Sequence, residues 1–153
     1  MKSLKTIIYE RLHINKDTGV QSYNYYPKTR GELDELVDKL IKERGCNADL
    51  NDIDTSEITD MTELFSLSDF NGDISKWNVS NVENMKHLFF NTKLFNGDIS
   101  NWDVSKVKDM DGMFANSNFN GNIENWNIAK VKNTYHIFYQ SPLENNPPKW
   151  YKE

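Results

Sequence analysis

The stretch Phe70-Asn71-Gly72-Asp73-Ile74-Ser75-Lys76-Trp77-Asn78-Val79-Ser80 decides how the chain is read, because it comes back twice. It recurs as Phe95-Asn96-Gly97-Asp98-Ile99-Ser100-Asn101-Trp102-Asp103-Val104-Ser105 and as Phe119-Asn120-Gly121-Asn122-Ile123-Glu124-Asn125-Trp126-Asn127-Ile128-Ala129. The tryptophans are 25 and 24 residues apart. A fixed period of roughly 20–50 residues marks an array in which each unit buries its apolar face against its neighbours. Stepping 24 residues back from Trp77 reaches Ile53, and Leu50 to Phe65 then matches Ile74 to Phe89 along the apolar columns, a degenerate first copy. Stepping 24 forward from Trp126 reaches Trp150, with Leu143 in the column of Phe119, a truncated last copy. Pro147 and Pro148 lack the backbone donors a further strand needs and read as a stop signal.

Within a unit the apolar columns are those of Phe70, Ile74, Trp77, Val79, Val82, Met85, Leu88 and Phe89. One unit cannot bury so many large side chains, whereas stacked units turn each column into a ladder. Trp77, Trp102, Trp126 and Trp150 form one expected ladder, and Phe89, Phe114 and Phe138 another. The Asn-Gly and Gly-Asp pairs at 71–73 and 96–98 predict bends with glycine at positive φ. Apolar residues at 82, 85, 88 and 89 predict a short helical return, with Asp60, Asn84, Asp109 and Asn133 as the column that caps it.

Residues 1–48 do not repeat and read as an α-helical cap with an extended aromatic segment; residues 49–153 read as the repeat body. Leu4, Ile7, Ile8 and Leu12 share one helical face behind Ser3. The stretch Val20 to Tyr26 reads as extended. A second helix is predicted from Thr29 and Glu32 as a capping box, through the stripe Leu33, Leu36, Val37, Leu40 and Ile41, to Gly45 as its stop.

The spacing Ile74-x-x-Trp77-x-Val79 resembles the strand segment of leucine-rich repeats. The whole unit, F-N-G-D-I-S-x-W-[DN]-V-S-x-V-x-[DN]-M-x-x-[LM]-F, resembles the BspA-type leucine-rich repeat family of bacterial surface and bacteriophage proteins over residues 50 to about 150. The resemblance implies an α/β repeat fold, a leucine-rich-repeat-like solenoid of about four 24–25-residue units with a helical N-terminal cap, and protein–protein binding. It supplies no catalytic residue. Unlike the surface members, the sequence shows no secretory leader, lipid-attachment cysteine or wall anchor, which points to a bacterial cytoplasm or a virion.

Composition narrows the function classes. The net charge of −5 and the pI near 5.2 are unlike those of a general nucleic-acid binder. Residues 1–45 carry 9 Lys/Arg against 7 Asp/Glu, net +2, whereas residues 46–153 carry 9 against 16, net −7. The single cysteine, Cys46, excludes an intramolecular disulfide and fits a reducing compartment. No run approaches the roughly 18 apolar residues of a membrane span.

No metal site, cofactor or catalytic centre is expected. His87 and His136 share a column two units apart with Gly112 between them. At about 5 Å per unit they cannot share an ion held at about 2 Å. Asp98, Asp103, Asp109 and Asp111 fall in one unit, but Asp73/Asp98 and Asp60/Asp109 recur at turn and cap positions. Ser75, Ser80, Ser100 and Ser105 recur with no histidine partner.

With Trp77 and Val79 pointing inward, strand alternation turns Asp52, Asp54, Lys76, Asn78, Asn101, Asp103, Asn125 and Asn127 outward. This carboxamide-and-acid face is the candidate binding surface. Lys106, Lys108, Lys130 and Lys132 form an alternative basic patch of two columns in the last two full units. The expected function is therefore a non-enzymatic protein-binding module, a phage accessory or virion protein. The alternative is a phage-encoded inhibitor of a bacterial defence nuclease, and a polysaccharide hydrolase is more remote.

Overall fold

A computed structural model describes residues 22–152. The predicted first helix, with Leu4, Ile7, Ile8 and Leu12, lies outside the described residues. Two helices occur among those described, α1 (Arg30–Arg44) and the single-turn α2 (Pro142–Asn145). Helix α1 forms as its sequence dictates. Thr29 accepts the Glu32 N–H on its hydroxyl at 3.2 Å, and the Glu32 carboxylate takes the Lys28 N–H at 2.7 Å. Gly45, at φ 90°, closes the other end by donating to Ile41 O at 2.8 Å. Leu33, Val37 and Leu40 are buried in the common core, with Leu36 and Ile41 packed at its margin.

The repeat body corrects the expected fold class. No named strand and no sheet exist among the described residues; bridges between units are isolated and parallel, Asp49 to Asp73, Asp60 to Asn84, Asn84 to Asp109 and Asp109 to Asn133, with Tyr25 to Ile53 joining the preceding segment to the first unit. The segment Ile74–Val79 is therefore not a strand, and the return from Val82 to Phe90 is not a helix but a run of turns. The α/β leucine-rich-repeat-like solenoid is replaced by irregular coils stacked in register. A helix over the return needs negative φ throughout, whereas Glu63, His87, Gly112 and His136 form one column at φ 52–58°, and Leu67, Asn91, Asn116 and Gln140 form a second at 52–58°. Left-handed residues four apart end any helix before it completes a turn. The strain this places on non-glycine residues is offset by the bonds it directs to the next unit.

Those bonds are regular. In the four columns headed by Met61, Glu63, Phe65 and Leu67, the N–H groups of the first three units donate to a carbonyl of the following unit. Thus Met61, Met85 and Met110 donate to Asn84, Asp109 and Asn133 O, each at 2.9 Å. Inside the units, overlapping turns satisfy the intervening amides, as in Leu64 to Met61 O and Ser66 to Glu63 O.

The core is a set of ladders. Phe65, Phe89, Phe114 and Phe138 stack at 5.6, 5.7 and 6.1 Å between ring centroids. Phe70, Phe95 and Phe119 stack beside them at 6.1 Å per step. Each indole N–H reaches back to the preceding unit: Trp77 to Leu50 O, Trp102 to Ile74 O, Trp126 to Ile99 O and Trp150 to Ile123 O, at 2.7–3.2 Å. An indole buried without an acceptor is costly, so these bonds fix both the depth and the register of the ring.

The glycine column departs from its predicted role. Gly72, Gly97 and Gly121 do not adopt positive φ. They are needed for room: a Cβ on Gly72 lies 2.0 Å from Ala48 O and 2.6 Å from the Phe70 ring, which folds back over its own glycine. In the flanking column, Asn71 and Asn96 accept the N–H of Asn96 and Asn120 on their side-chain oxygens, at 3.3 and 2.9 Å.

Candidate functional site

The outward set of side chains divides into two columns with different duties. Asp54, Asn78, Asp103 and Asn127 each accept, on Oδ1, the N–H two residues ahead, from Ser56, Ser80, Ser105 and Ala129, at 2.9–3.1 Å. They are turn-forming groups. The Ser105 hydroxyl and N–H hold the Asp103 carboxyl below its ordinary value, and Ser100 does the same for Asp98. The helix-cap role expected for Asp60, Asn84, Asp109 and Asn133 is likewise a turn role: each Oδ1 accepts the N–H of Thr62, Lys86, Asp111 or Tyr135 at 2.8–3.0 Å.

The second column, Asp52, Lys76, Asn101 and Asn125, is different. Lys76, Asn101 and Asn125 are exposed, and their side chains make no hydrogen bond or ion pair among the described residues. Asp52 is engaged: Arg44 Nη1 and Nη2 donate to its Oδ1 and Oδ2 at 2.9 Å, and Asn24 Nδ2 to Oδ2 at 2.7 Å. Burial pushes the Asp52 carboxyl up, but the bonds from Arg44 and Asn24 and the Arg44 charge outweigh it, so its pKa is lowered. The guanidinium also lies 5.7 Å from the Tyr25 ring centroid and donates to Asp49 O at 3.0 Å. This bidentate knot ties α1 to the first coil.

A group whose folded-state pKa is depressed stabilises the fold above its unfolded pKa and loses that contribution as pH falls through the folded value. Asp52, Asp73, Asp98 and Asp103 are all shifted downward from 3.8. The thermal midpoint is expected to be level near neutral pH and to fall as pH drops below about 4. Asp52→Asn is expected to flatten part of that fall. An unchanged acid limb in this variant is evidence against the Arg44 knot.

The lysine columns lie on neighbouring units. Lys132 N–H donates to Lys108 O at 2.8 Å, and Lys106, Lys108 and Lys130 all depress the Glu83 carboxyl, chiefly through the Lys108 bond. Lys108 Nζ lies 2.7 Å from Glu83 Oε2, and Lys106 Nζ donates to Asn81 Oδ1 at 2.6 Å. Half of the patch is thus neutralised or bonded within the stack, whereas the Lys130 and Lys132 ammonium groups make no hydrogen bond or salt bridge among the described residues.

At the far end of the stack lies a cleft of about 490 Å³ that the sequence reasoning missed, lined among others by Lys132, Thr134, Tyr135, His136, Phe138, Tyr139, Tyr151 and Lys152. Tyr135 and Tyr139 are 66% and 44% exposed, and both rings lie against His136, at 3.7 and 5.1 Å. The signal was present in the column of Lys86 and Asp111, which holds Tyr135 in the last full unit. His87 meanwhile packs over Gly112, where a Cβ lies 2.4 Å from its ring. Among the described residues no group of three or more His, Cys, Asp or Glu is placed to hold a metal. No described helix is long and apolar enough to cross a membrane.

Register, indole bonds and left-handed columns together define a repeat protein whose units stack without a sheet. The chain belongs to the family described as "Mycoplasma protein of unknown function, DUF285", which matches residues 34–150. No curated protein and no solved structure matches the chain.

Proposed function

We propose that the chain is a non-enzymatic protein-binding module that uses the exposed column Lys76, Asn101 and Asn125. The observation that carries this reading is the division of labour between the two columns: one is spent on turns, whereas this one recurs in every full unit with nothing in the fold to require it. Polar side chains repeated along a stack suit an extended protein surface better than a small substrate. The carboxylates that invite a hydrolytic reading are engaged in turns, as with Asp98, Asp103 and Asp109. A decoy for a basic nuclease channel is less favoured, because Lys106, Lys108, Lys130 and Lys132 interrupt the acidic surface. Our reading includes a phage accessory or virion role, in a bacterial cytoplasm or a virion, and the single cysteine fits a reducing compartment.

Affinity capture from a bacterial extract tests this reading, with the wild-type chain and a Lys76→Glu/Asn101→Lys/Asn125→Lys variant compared by mass spectrometry. A partner captured by the wild type and lost at least tenfold in the variant is expected. Equal capture by both removes this column from the binding surface.

A further inference from the structure

Each full unit carries the dipeptide Asn-Gly behind a phenylalanine, at Phe70-Asn71-Gly72, Phe95-Asn96-Gly97 and Phe119-Asn120-Gly121. The fold uses both residues of the pair. A Cβ at Gly121 lies 2.5 Å from the Phe119 ring, and one at Gly97 lies 2.9 Å from the Phe95 ring, so a larger residue enters this column only by displacing the phenylalanine ladder. The asparagine oxygens hold the following unit: Asn71 Oδ1 accepts the Asn96 N–H at 3.3 Å, and Asn96 Oδ1 accepts the Asn120 N–H at 2.9 Å. The series stops at Asn120. The residue next in that column, Glu144, belongs to α2, and its N–H donates to Ser141 O at 3.1 Å instead. The Asn120 carboxamide makes no hydrogen bond among the described residues.

We propose that Asn120 is a self-modification site, at which the folded chain converts its own asparagine to aspartate or isoaspartate faster than at Asn71 or Asn96. The chemistry is intramolecular and needs only water. The Gly121 backbone nitrogen gives up its proton to solvent and attacks Cγ of Asn120. The new N–C bond forms, the bond from Cγ to Nδ2 breaks, and Nδ2 takes up a proton and leaves as ammonia. Water then opens the resulting cyclic imide. Attack at Cγ restores the main chain and leaves aspartate, whereas attack at the main-chain carbonyl carbon leaves isoaspartate, linked through its side chain. In sum a water is consumed and an ammonia released, and nothing is oxidised or reduced.

The nucleophile is equally ready at all three sites. The N–H groups of Gly72, Gly97 and Gly121 make no hydrogen bond among the described residues, and glycine sets no Cβ beside the attacking nitrogen. The carboxamides differ. To meet its own glycine nitrogen a carboxamide must swing over the following peptide, and Asn71 and Asn96 do so only by releasing the amide of the next unit. Asn96, with the shorter bond, is held more firmly than Asn71. Asn120 swings without breaking any bond of the stack. It also has room and water, because Asn120 and Gly121 line a notch of about 210 Å³ with Ile123, Glu124, Leu143 and Pro148. The Asn120 N–H that Asn96 holds takes no part in the reaction, so the modified unit keeps its bond to the preceding one.

Incubation of the intact chain in mildly alkaline buffer, followed over time by peptide mass mapping and isoaspartate quantification, provides the test. Conversion at Asn120 is expected to run at least about fivefold faster than at Asn96, the factor to which one net hydrogen bond corresponds, with Asn71 between them. In urea the three sites are expected to converge, since each is then only a Phe-Asn-Gly sequence in an open chain. Equal rates at the three sites in the folded chain, faster conversion at Asn96, or an Asn120 that survives in the folded chain overturns the proposal. An excess at Asn120 that persists unchanged in urea also overturns it, by assigning the difference to local sequence rather than to the stack.

Discussion

Trp102→Ala is expected to lower the free energy of unfolding by about 3–5 kcal/mol, read as a shift in urea midpoint at constant slope. Two losses add. The ring is only 4% exposed and lies 6.2 Å from Phe89, so truncation leaves a cavity between two well-packed units. The Ile74 carbonyl also loses the indole N–H that reaches it at 3.2 Å. A Trp102→Phe variant separates the terms, since it keeps most of the burial and forfeits the bond, at a cost of about 1–3 kcal/mol for the orphaned acceptor. Trp150 is the internal control. It makes the same bond, at 2.7 Å, but is only partly buried at the end of the stack, and its truncation is expected to cost visibly less. Equal losses at 102 and 150, or a loss below about 1 kcal/mol at 102, contradict the stapled ladder.

Phe89→Ala is expected to be comparably damaging, at about 3–5 kcal/mol. The side chain is fully buried and stands at the crossing of the two phenylalanine ladders. Its ring is 4.3 Å from that of Phe95, 5.6 Å from Phe65 and 5.7 Å from Phe114, all nearly parallel. Phe89→Leu retains part of the apolar volume and removes the stacking, which is worth about 0.5–1.5 kcal/mol per pair beyond burial. A leucine variant as unstable as the alanine one indicates that ring geometry, rather than burial, holds the coils together. Urea melts of the two variants side by side decide the matter.

These two residues were visible in the sequence because periodicity exposes columns directly: any position that keeps a large apolar residue through three copies must be inside. Helix α1 was equally legible, since Thr29, Glu32 and Gly45 state its ends in local chemistry. The conformation of the coils was not. Apolar spacing of two and of three to four residues suggested strand and helix, yet the deciding fact is a left-handed backbone at Glu63, His87 and His136 and again at Leu67, Asn91, Asn116 and Gln140, a mixture of types of which only His and Asn favour that region. Gly112, standing in the first column, and Asn91 and Asn116, in the second, were the hints. The Asn-Gly pairs misled in the opposite direction, because those glycines serve space rather than φ. At the candidate site the pattern identified outward residues but could not tell that Asp54, Asn78, Asp103 and Asn127 turn their oxygens onto their own backbone. That distinction depends on side-chain direction, which a period does not encode. The aromatic cleft was missed because Tyr135 and Tyr139 meet only through His136 between them, a contact that a period does not encode.

The backward-reaching indole and the forward-donating amides give each unit the same two handles, one for the neighbour before it and one for the neighbour after. A block of 24 or 25 residues can therefore be duplicated or deleted between Trp77 and Trp126 without altering the bonds made at either terminus of the array. Length becomes a heritable variable separate from what flanks the duplicated block, and a lineage can lengthen the exposed polar column by unequal recombination while the helix-covered first coil and the cleft at Tyr135 stay as they are.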